Sequence, residues 1–266
     1  MITTFKLLNK RYQFLICCGI FLFIILLLFI ANKAFAGSLT PVSEPTEASA
    51  PTQTPAPPKN YMIDGVAVIA QDELLAGCET YACTMLLQTL GFDIDEKTFA
   101  EKYLITKPIT YVDYYYRYGP DMYSAQAGDV YTGYGIYAPA MAKSINRYFD
   151  KIGETRRAQA LEGVPLQELC EQYICKGIPV MVWATTWMME SYEKDSWTVD
   201  YVDENAHTKI GDTFTWRQNE HCLVLIGYDE EEYYFADSCA GEVSHFEKAL
   251  CQQRYEEIGT MAIVVK

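Results

Sequence analysis

The sequence predicts an α+β domain, a helical half packed on a mostly antiparallel sheet, behind an N-terminal transmembrane helix and a linker. Three observations predict it. Apolar positions between residues 78 and 103 recur at intervals of three and four, as on helices. From residue 180 onward they come as short apolar or alternating runs, as on strands. Ahead of both lie an apolar run and then a stretch of Pro, Thr, Ser, Ala and Glu without periodicity.

The N-terminal part, residues 1–36, begins with Lys6, Lys10 and Arg11 and continues as the apolar run Phe14 to Ile30. Positive charge before an apolar segment directs a chain into export with its N-terminus inside. The run is at the short limit of a spanning helix, which needs roughly 17–25 residues. An uncleaved anchor in the cell membrane is expected. Ala34-Phe35-Ala36 offers the competing outcome, a signal peptide cut after Ala36 and a secreted protein. Either way the remainder lies outside the cytoplasm. Residues 37–60 form a Pro/Thr/Ser-rich linker that cannot bury enough surface to offset its ordering entropy. Residues 61–266 form the folded domain.

Within that domain Tyr61 to Ala70 reads as a strand or an extended entry. Ala82, Met85, Leu86 and Leu90 define a helix from Cys78 to Leu90, stopped by Gly91. Asp95 to Tyr103 reads as a second helix with Asp95 as N-cap. Residues 106–135, rich in Tyr, Gly and Asp, read as irregular. Helices follow at Pro139 to Tyr148 and Pro165 to Cys175, then a strand from Val180 to Thr185. Residues 187–219 are polar and acidic, punctuated by Trp187, Trp197 and Trp216, and suit a cleft rim. His221 to Tyr228 and Glu232 to Asp237 read as a hairpin, Ser244 to Cys251 as a short helix, and Met261 to Val265 as a closing strand.

The formal charge of -14 excludes a nucleic-acid partner, because binding phosphate backbones needs basic surface. The chemistry is carried by few residues. Gly77-Cys78-Glu79 places a thiol in the first turn of a helix, where unpaired N–H groups and the macrodipole favour the thiolate. Gly77 leaves room for a substrate carbonyl. Glu79 suits a helix start but opposes thiolate formation beside it. A cysteine hydrolase needs a general base, and the chain has three histidines, His207, His221 and His245. His221 opens an apolar strand, the position best suited to face a cleft. With residues 228–231 as the turn, Gly227 lies opposite Glu232 and Asp237 opposite Cys222, next to His221. A carboxylate there would fix the imidazole tautomer. Gln71, just upstream of Cys78, could complete an oxyanion hole with the Cys78 N–H.

The segment Gln71 to Gly91 resembles the first block of the papain-like cysteine peptidase family typified by the double-glycine bacteriocin-leader proteases. More narrowly, it resembles that family's stand-alone, exported relatives. Gly133 to Tyr148, Gly177 to Trp183, Glu220 to Asp229 and Tyr234 to Asp237 resemble the family's later blocks, in order. The resemblance implies a papain-like fold, with Cys78 as nucleophile, His221 as base, Asp237 as its orienter and Gln71 as oxyanion donor. Glu79 stands where the leader proteases usually carry Gly, whereas the stand-alone relatives often show Gly-Cys-Glu. Ser238 stands where Asp-Pro is common. The expected partner is a peptide or protein substrate, with no cofactor and with the membrane engaged through the N-terminal helix.

Among the nine cysteines, Cys17 and Cys18 lie in the apolar run. Setting Cys78 aside as nucleophile leaves Cys83, Cys170, Cys175, Cys222, Cys239 and Cys251. They are expected to be free thiols, since a domain of this size does not need cross-links. No CxxC or His-rich spacing suggests zinc. Two other functions fit the same fold: an inactive surface binding module and a peptidoglycan amidopeptidase.

Overall fold

The computed structural model describes residues 57–113 and 116–266. The apolar run 14–30 and most of the expected linker fall outside them. No helix among the described residues is long and apolar enough to cross a membrane. The strands are β1 (Tyr61–Met62), β2 (Thr106–Lys107), β3 (Thr110–Tyr111), β4 (Arg117–Pro120), β5 (Gln126–Ala127), β6 (Ala158–Glu162) and β7 (Val180–Thr185). They continue as β8 (Tyr192–Tyr201), β9 (Thr213–Gln218), β10 (Glu220–Tyr228), β11 (Glu232–Asp237), β12 (Glu242–Glu247) and β13 (Met261–Val265). The helices are α1 (Cys78–Thr89), α2 (Glu96–Lys102), α3 (Ala138–Ile152), α4 (Leu166–Gln172) and α5 (Lys248–Glu257).

A seven-stranded antiparallel sheet in the order β12-β11-β10-β7-β13-β6, with β1 added to β10, organises the mixed α+β domain. Every residue of β10 is buried, because the sheet is covered on both faces. Alternation along the strand divides its side chains. Cys222, Val224 and Ile226 face a core shared with Tyr81, Met85 and Leu86 of α1, Phe99 of α2 and Met141 and Ile145 of α3. Leu223 and Leu225 face a second core with Leu166 and Leu169 of α4 and Tyr255 of α5. Helices therefore lie on both faces of the sheet, where the sequence suggested one helical half against one sheet half.

α1 and α2 form where their periodicity places them, and Asp95 caps α2 by accepting from Thr98 N at 2.7 Å. β7 and β13 coincide with the expected strands. Three expectations are corrected. Only Tyr61–Met62 of the first expected strand pairs. Beyond it the backbone turns to α1, with Ala67 N donating to Thr89 Oγ1 at 3.0 Å and Ile69 N reaching Met85 Sδ at 3.3 Å. The helix expected at Ser244 to Cys251 is instead the edge strand β12 followed by α5, whose first turn is capped by the Glu247 carboxylate bonding Ala249 N and Leu250 N. Glu242 and Val243 of that edge are exposed, so its alternation carries little hydrophobic signal.

The third correction concerns 106–135, expected to be irregular, which holds β2 to β5; the polar stretch 187–219 holds β8 and β9. With β3 and β4 they make a four-stranded sheet in which β4 and β8 run parallel. Its buried side chains are few: Pro120 from β4, Trp197 and Val199 from β8 and Phe214 from β9. A buried carboxylate just after β4 ties this sheet to the loop between β8 and β9. Asp121 is fully buried and accepts from Tyr123 N at 2.7 Å, His207 N at 3.0 Å, Thr208 N at 2.8 Å and Thr208 Oγ1 at 2.6 Å. Asp121→Ala orphans all four donors and is expected to cost about 3 kcal/mol of stability, measured by chemical denaturation.

Candidate active site

Cys78 is the first residue of α1, and Gly77 before it is obligatory for packing. A Cβ there would lie 2.8 Å from Leu74 Cβ and 3.1 Å from Leu74 O. The preceding loop is fixed by Ala76 N donating to Val130 O at 2.8 Å and Gly77 N to Leu74 O at 3.0 Å. Cys78 is partly exposed, and its thiol donates to Glu79 Oε2 at 3.3 Å. Glu79 is buried, and its Oε1 accepts from Ile136 N at 2.8 Å. Glu220, the residue before His221, is also buried, and its Oε1 has no hydrogen-bond partner among the described residues. Burial pushes the Cys78 thiol well above its ordinary range, and the negative charges of Glu79 and Glu220 push the same way. Burial likewise raises both carboxyls, and Glu79 adds to the rise at Glu220. The Glu79 carboxylate thus opposes thiolate formation, as its position in the sequence suggests.

The hairpin brings His221 and Asp237 together, in a register other than the expected one. Tyr228 pairs Tyr233 and Gly227 pairs Tyr234, and then a bulge moves the frame so that Leu225 pairs Phe235 and Val224 pairs Ala236. Continuing that frame sets Asp237 across from Leu223, on the same face as His221. His221 Nε2 and Asp237 Oδ1 are 2.9 Å apart, both side chains nearly inaccessible. Asp237 also accepts from Cys239 N at 2.9 Å and Ser244 Oγ at 3.0 Å. Burial alone would raise Asp237, but the bonds from His221 and Ser244 outweigh it and hold the carboxyl below its ordinary value. It is therefore the acceptor, and His221 Nε2–H donates. Burial opposes the imidazolium, yet the side-chain bonds to Asp237 and Cys239 carry His221 up to about 10. The other ring nitrogen, Nδ1, faces Cys239 Sγ at 3.8 Å. No hydrogen bond joins Cys78 to His221 among the described residues.

Gln71 ties the two loops together. Its Nε2 donates to Leu74 O at 2.8 Å and Leu75 O at 3.2 Å, and its Oε1 accepts from Ser238 Oγ at 3.3 Å and Cys239 Sγ at 3.8 Å. Two carbonyls on one side and two donors on the other fix its amide orientation. In this conformation both of its amide protons are engaged. His207 stacks on Tyr123 with ring centroids 3.6 Å apart, and His245 meets Glu232 Oε2 at 2.7 Å; neither joins the His221 cluster.

Glu220 and Cys239 are residues of the site that residue type alone did not mark. Each had a positional signal: Glu220 precedes His221, and Cys239 follows Asp237 by two. Among the described residues all seven cysteines are free. Gly135 closes the site from the side. At φ +150°, its missing Cβ would fall on Glu79 Oε1, with Met122 Cε at 3.2 Å and Glu220 Oε2 at 3.3 Å. Gly135→Ala is expected to destabilise the domain by about 1–3 kcal/mol and to displace Glu79, read by thermal denaturation. A cavity of about 470 Å³ opens by the loop that holds the start of α1, walled by Leu104, Ile109, Tyr111, Val130, Tyr131 and Tyr134 among others.

Residues 63–263 match the sequence model of the Peptidase_C39-like family. A crystal structure of a candidate C39-like peptidase from Bacillus anthracis is similar in fold, with a TM-score of 0.61 and 24% identity over 79% of this chain and 98% of that one. No curated protein matches the chain.

Proposed function

This chain belongs to the Peptidase_C39-like family, and from that premise we propose that it is a cysteine peptidase hydrolysing peptide bonds through Cys78, His221 and Asp237. The observation that carries the reading is the buried His221–Asp237 pair at 2.9 Å, on the sheet that packs against the helix headed by the partly exposed Cys78. Family membership makes Cys78 the thiol of interest.

In the proposed reaction the Cys78 thiol leaves Glu79 and turns to His221 as substrate enters; catalytic hydrogen bonds commonly tighten only in the complex. The sulfur attacks the scissile carbonyl carbon while its proton passes to the neutral form of the imidazole, so turnover draws on the fraction of His221 that has lost its proton and rises with pH towards about 10. The oxyanion meets the Cys78 N–H at the head of α1 and a Gln71 amide proton released from Leu74 or Leu75. The His221 imidazolium protonates the amine, the C–N bond breaks, and a thioester remains. Water, deprotonated by His221, then releases the acid and regenerates the thiol. Asp237 holds the ring and its charge throughout. The cavity by the α1 loop suits an apolar or aromatic substrate side chain. The apolar run 14–30 and the linker of the sequence support a domain displayed outside the cytoplasm, anchored to the membrane or secreted.

A second reading, a surface binding module of the same fold, is favoured by one observation: the thiol is bonded to Glu79 and not to His221. Incubating the reduced full-length protein with a peptide library and with peptidoglycan fragments separates the readings. Accumulating peptide fragments, together with selective alkylation of Cys78 by iodoacetamide, support the peptidase. Release from peptidoglycan fragments alone turns the assignment to an amidopeptidase. No cleavage of either, with Cys78 reacting no faster than a simple thiol, leaves the binding module.

A further inference from the structure

The sequence spacing suggests no metal, yet the fold assembles a compact set of ligand atoms around the proposed nucleophile. We propose that Cys78, Glu79 and Glu220 form a binding site for a divalent cation of the zinc type, and that filling it switches the thiol off. One ligand atom from each residue lies within 4.8 Å of the others. Glu220 is only 8% exposed, and its buried Oε1 has no hydrogen-bond partner. A buried carboxylate left in that state is costly unless a proton or a cation compensates it. No Lys or Arg forms an ion pair with Glu79 or Glu220 among the described residues. The positive group that does act on both carboxyls, His221, is already bonded to Asp237. A Cβ on Gly135 would fall on Glu79 Oε1 and lie 3.3 Å from Glu220 Oε2, so only glycine there lets the two carboxylates approach one another.

The donor set chooses the ion. A thiolate with two carboxylate oxygens suits a borderline-soft, tetrahedral cation, whereas calcium and magnesium prefer oxygen alone. Binding converts the Cys78 S–H to a metal-bound thiolate and releases its proton to solvent, together with any proton that the buried Glu79 and Glu220 carboxyls hold. The fourth position remains for water. The lone pair that would attack a carbonyl then belongs to the metal, so hydrolysis stops until the cation is removed. Binding itself does not rest on the peptidase reading; the loss of hydrolysis does.

His221, Asp237 and Cys239 also lie within 4.8 Å of one another and form the natural control. That group is satisfied: Asp237 Oδ1 accepts from His221 and Cys239 N, and Oδ2 accepts from Ser244 Oγ. A cation there would have to displace these bonds.

The full-length protein, stripped with a chelator and reduced, is titrated with Co²⁺ while the sulfur-to-cobalt charge-transfer absorption is followed. The expected result is a saturable band of one equivalent, weakened more than about tenfold in Glu220→Gln, absent in Cys78→Ser and retained in Cys239→Ser. Protection of Cys78 in the unmutated protein from iodoacetamide by Zn²⁺, read by mass spectrometry, covers the case in which a variant does not fold. Absence of any band, a band that survives in Cys78→Ser and disappears in Cys239→Ser, or unprotected Cys78 overturns the site. Peptide hydrolysis is assayed in parallel. A band without hydrolysis leaves the metal site standing and removes the peptidase; hydrolysis without a band does the reverse.

Discussion

Cys78→Ala is expected to reduce peptide hydrolysis by about 10³-fold or more while the protein stays folded, whereas Cys239→Ala retains most of the activity. The contrast matters because the thiol that lies nearest the proposed base is not the proposed nucleophile. Cys239 is exposed and 3.8 Å from His221 Nδ1; Cys78 is bonded to Glu79 and pushed to a high pKa. Proximity to the imidazole therefore favours Cys239. Position favours Cys78. It heads a helix of 12 residues, whose first-turn N–H groups can receive an oxyanion, while Cys239 lies in the turn after β11 with no such array. Electrostatic stabilisation of the tetrahedral intermediate is usually the larger contribution to catalysis, so the thiol at the helix wins. His221→Ala should match Cys78→Ala in its effect, because neither acts without the other. Kinetics of the three variants on one cleaved peptide, with thermal denaturation to confirm folding, decide the matter. Activity lost in Cys239→Ala and kept in Cys78→Ala would reverse the assignment.

Legibility in the sequence followed how strongly each segment is buried. α1 and β7 could be read because nearly every position packs against a core. β8 and β9 could not, because they expose most of one face and bury a few aromatic and branched residues. The site divides the same way. His221 and Asp237 could be paired from the hairpin, although the bulge between Leu225 and Gly227 altered the register in a manner no turn count reveals. Glu220 could not be placed, since its meeting with Glu79 joins the first helix to a strand far along the chain. Gln71 was legible as a residue near Cys78. That its amide spends itself on Leu74 and Leu75 depends on loop geometry that residue type does not encode.

Trp183→Ala is expected to cost about 3–5 kcal/mol and to lower activity in whatever fraction remains folded. Trp183 on β7 is fully buried, among the largest side chains of the core, so truncation leaves a cavity that the closely paired sheet cannot collapse. Its indole also does something a hydrocarbon cannot. Nε1 donates to Ile136 O at 3.0 Å, while Ile136 N donates to Glu79 Oε1 at 2.8 Å and Glu79 Oε2 accepts from Cys78. A single residue, Ile136, thus holds the sheet through its carbonyl and Glu79, the neighbour of Cys78, through its amide. Trp183→Phe separates the two roles. It keeps most of the packing, loses the hydrogen bond and should cost about 1–2 kcal/mol of stability. If Ile136 fixes Glu79, and through it the resting position of the Cys78 thiol, Trp183→Phe changes kcat severalfold while KM holds steady. Equal, small changes in both constants would mean that Trp183 serves packing alone. Urea denaturation of both variants and steady-state kinetics of Trp183→Phe make the measurement, and the larger stability loss in Trp183→Ala than in Trp183→Phe gives the share that belongs to the cavity.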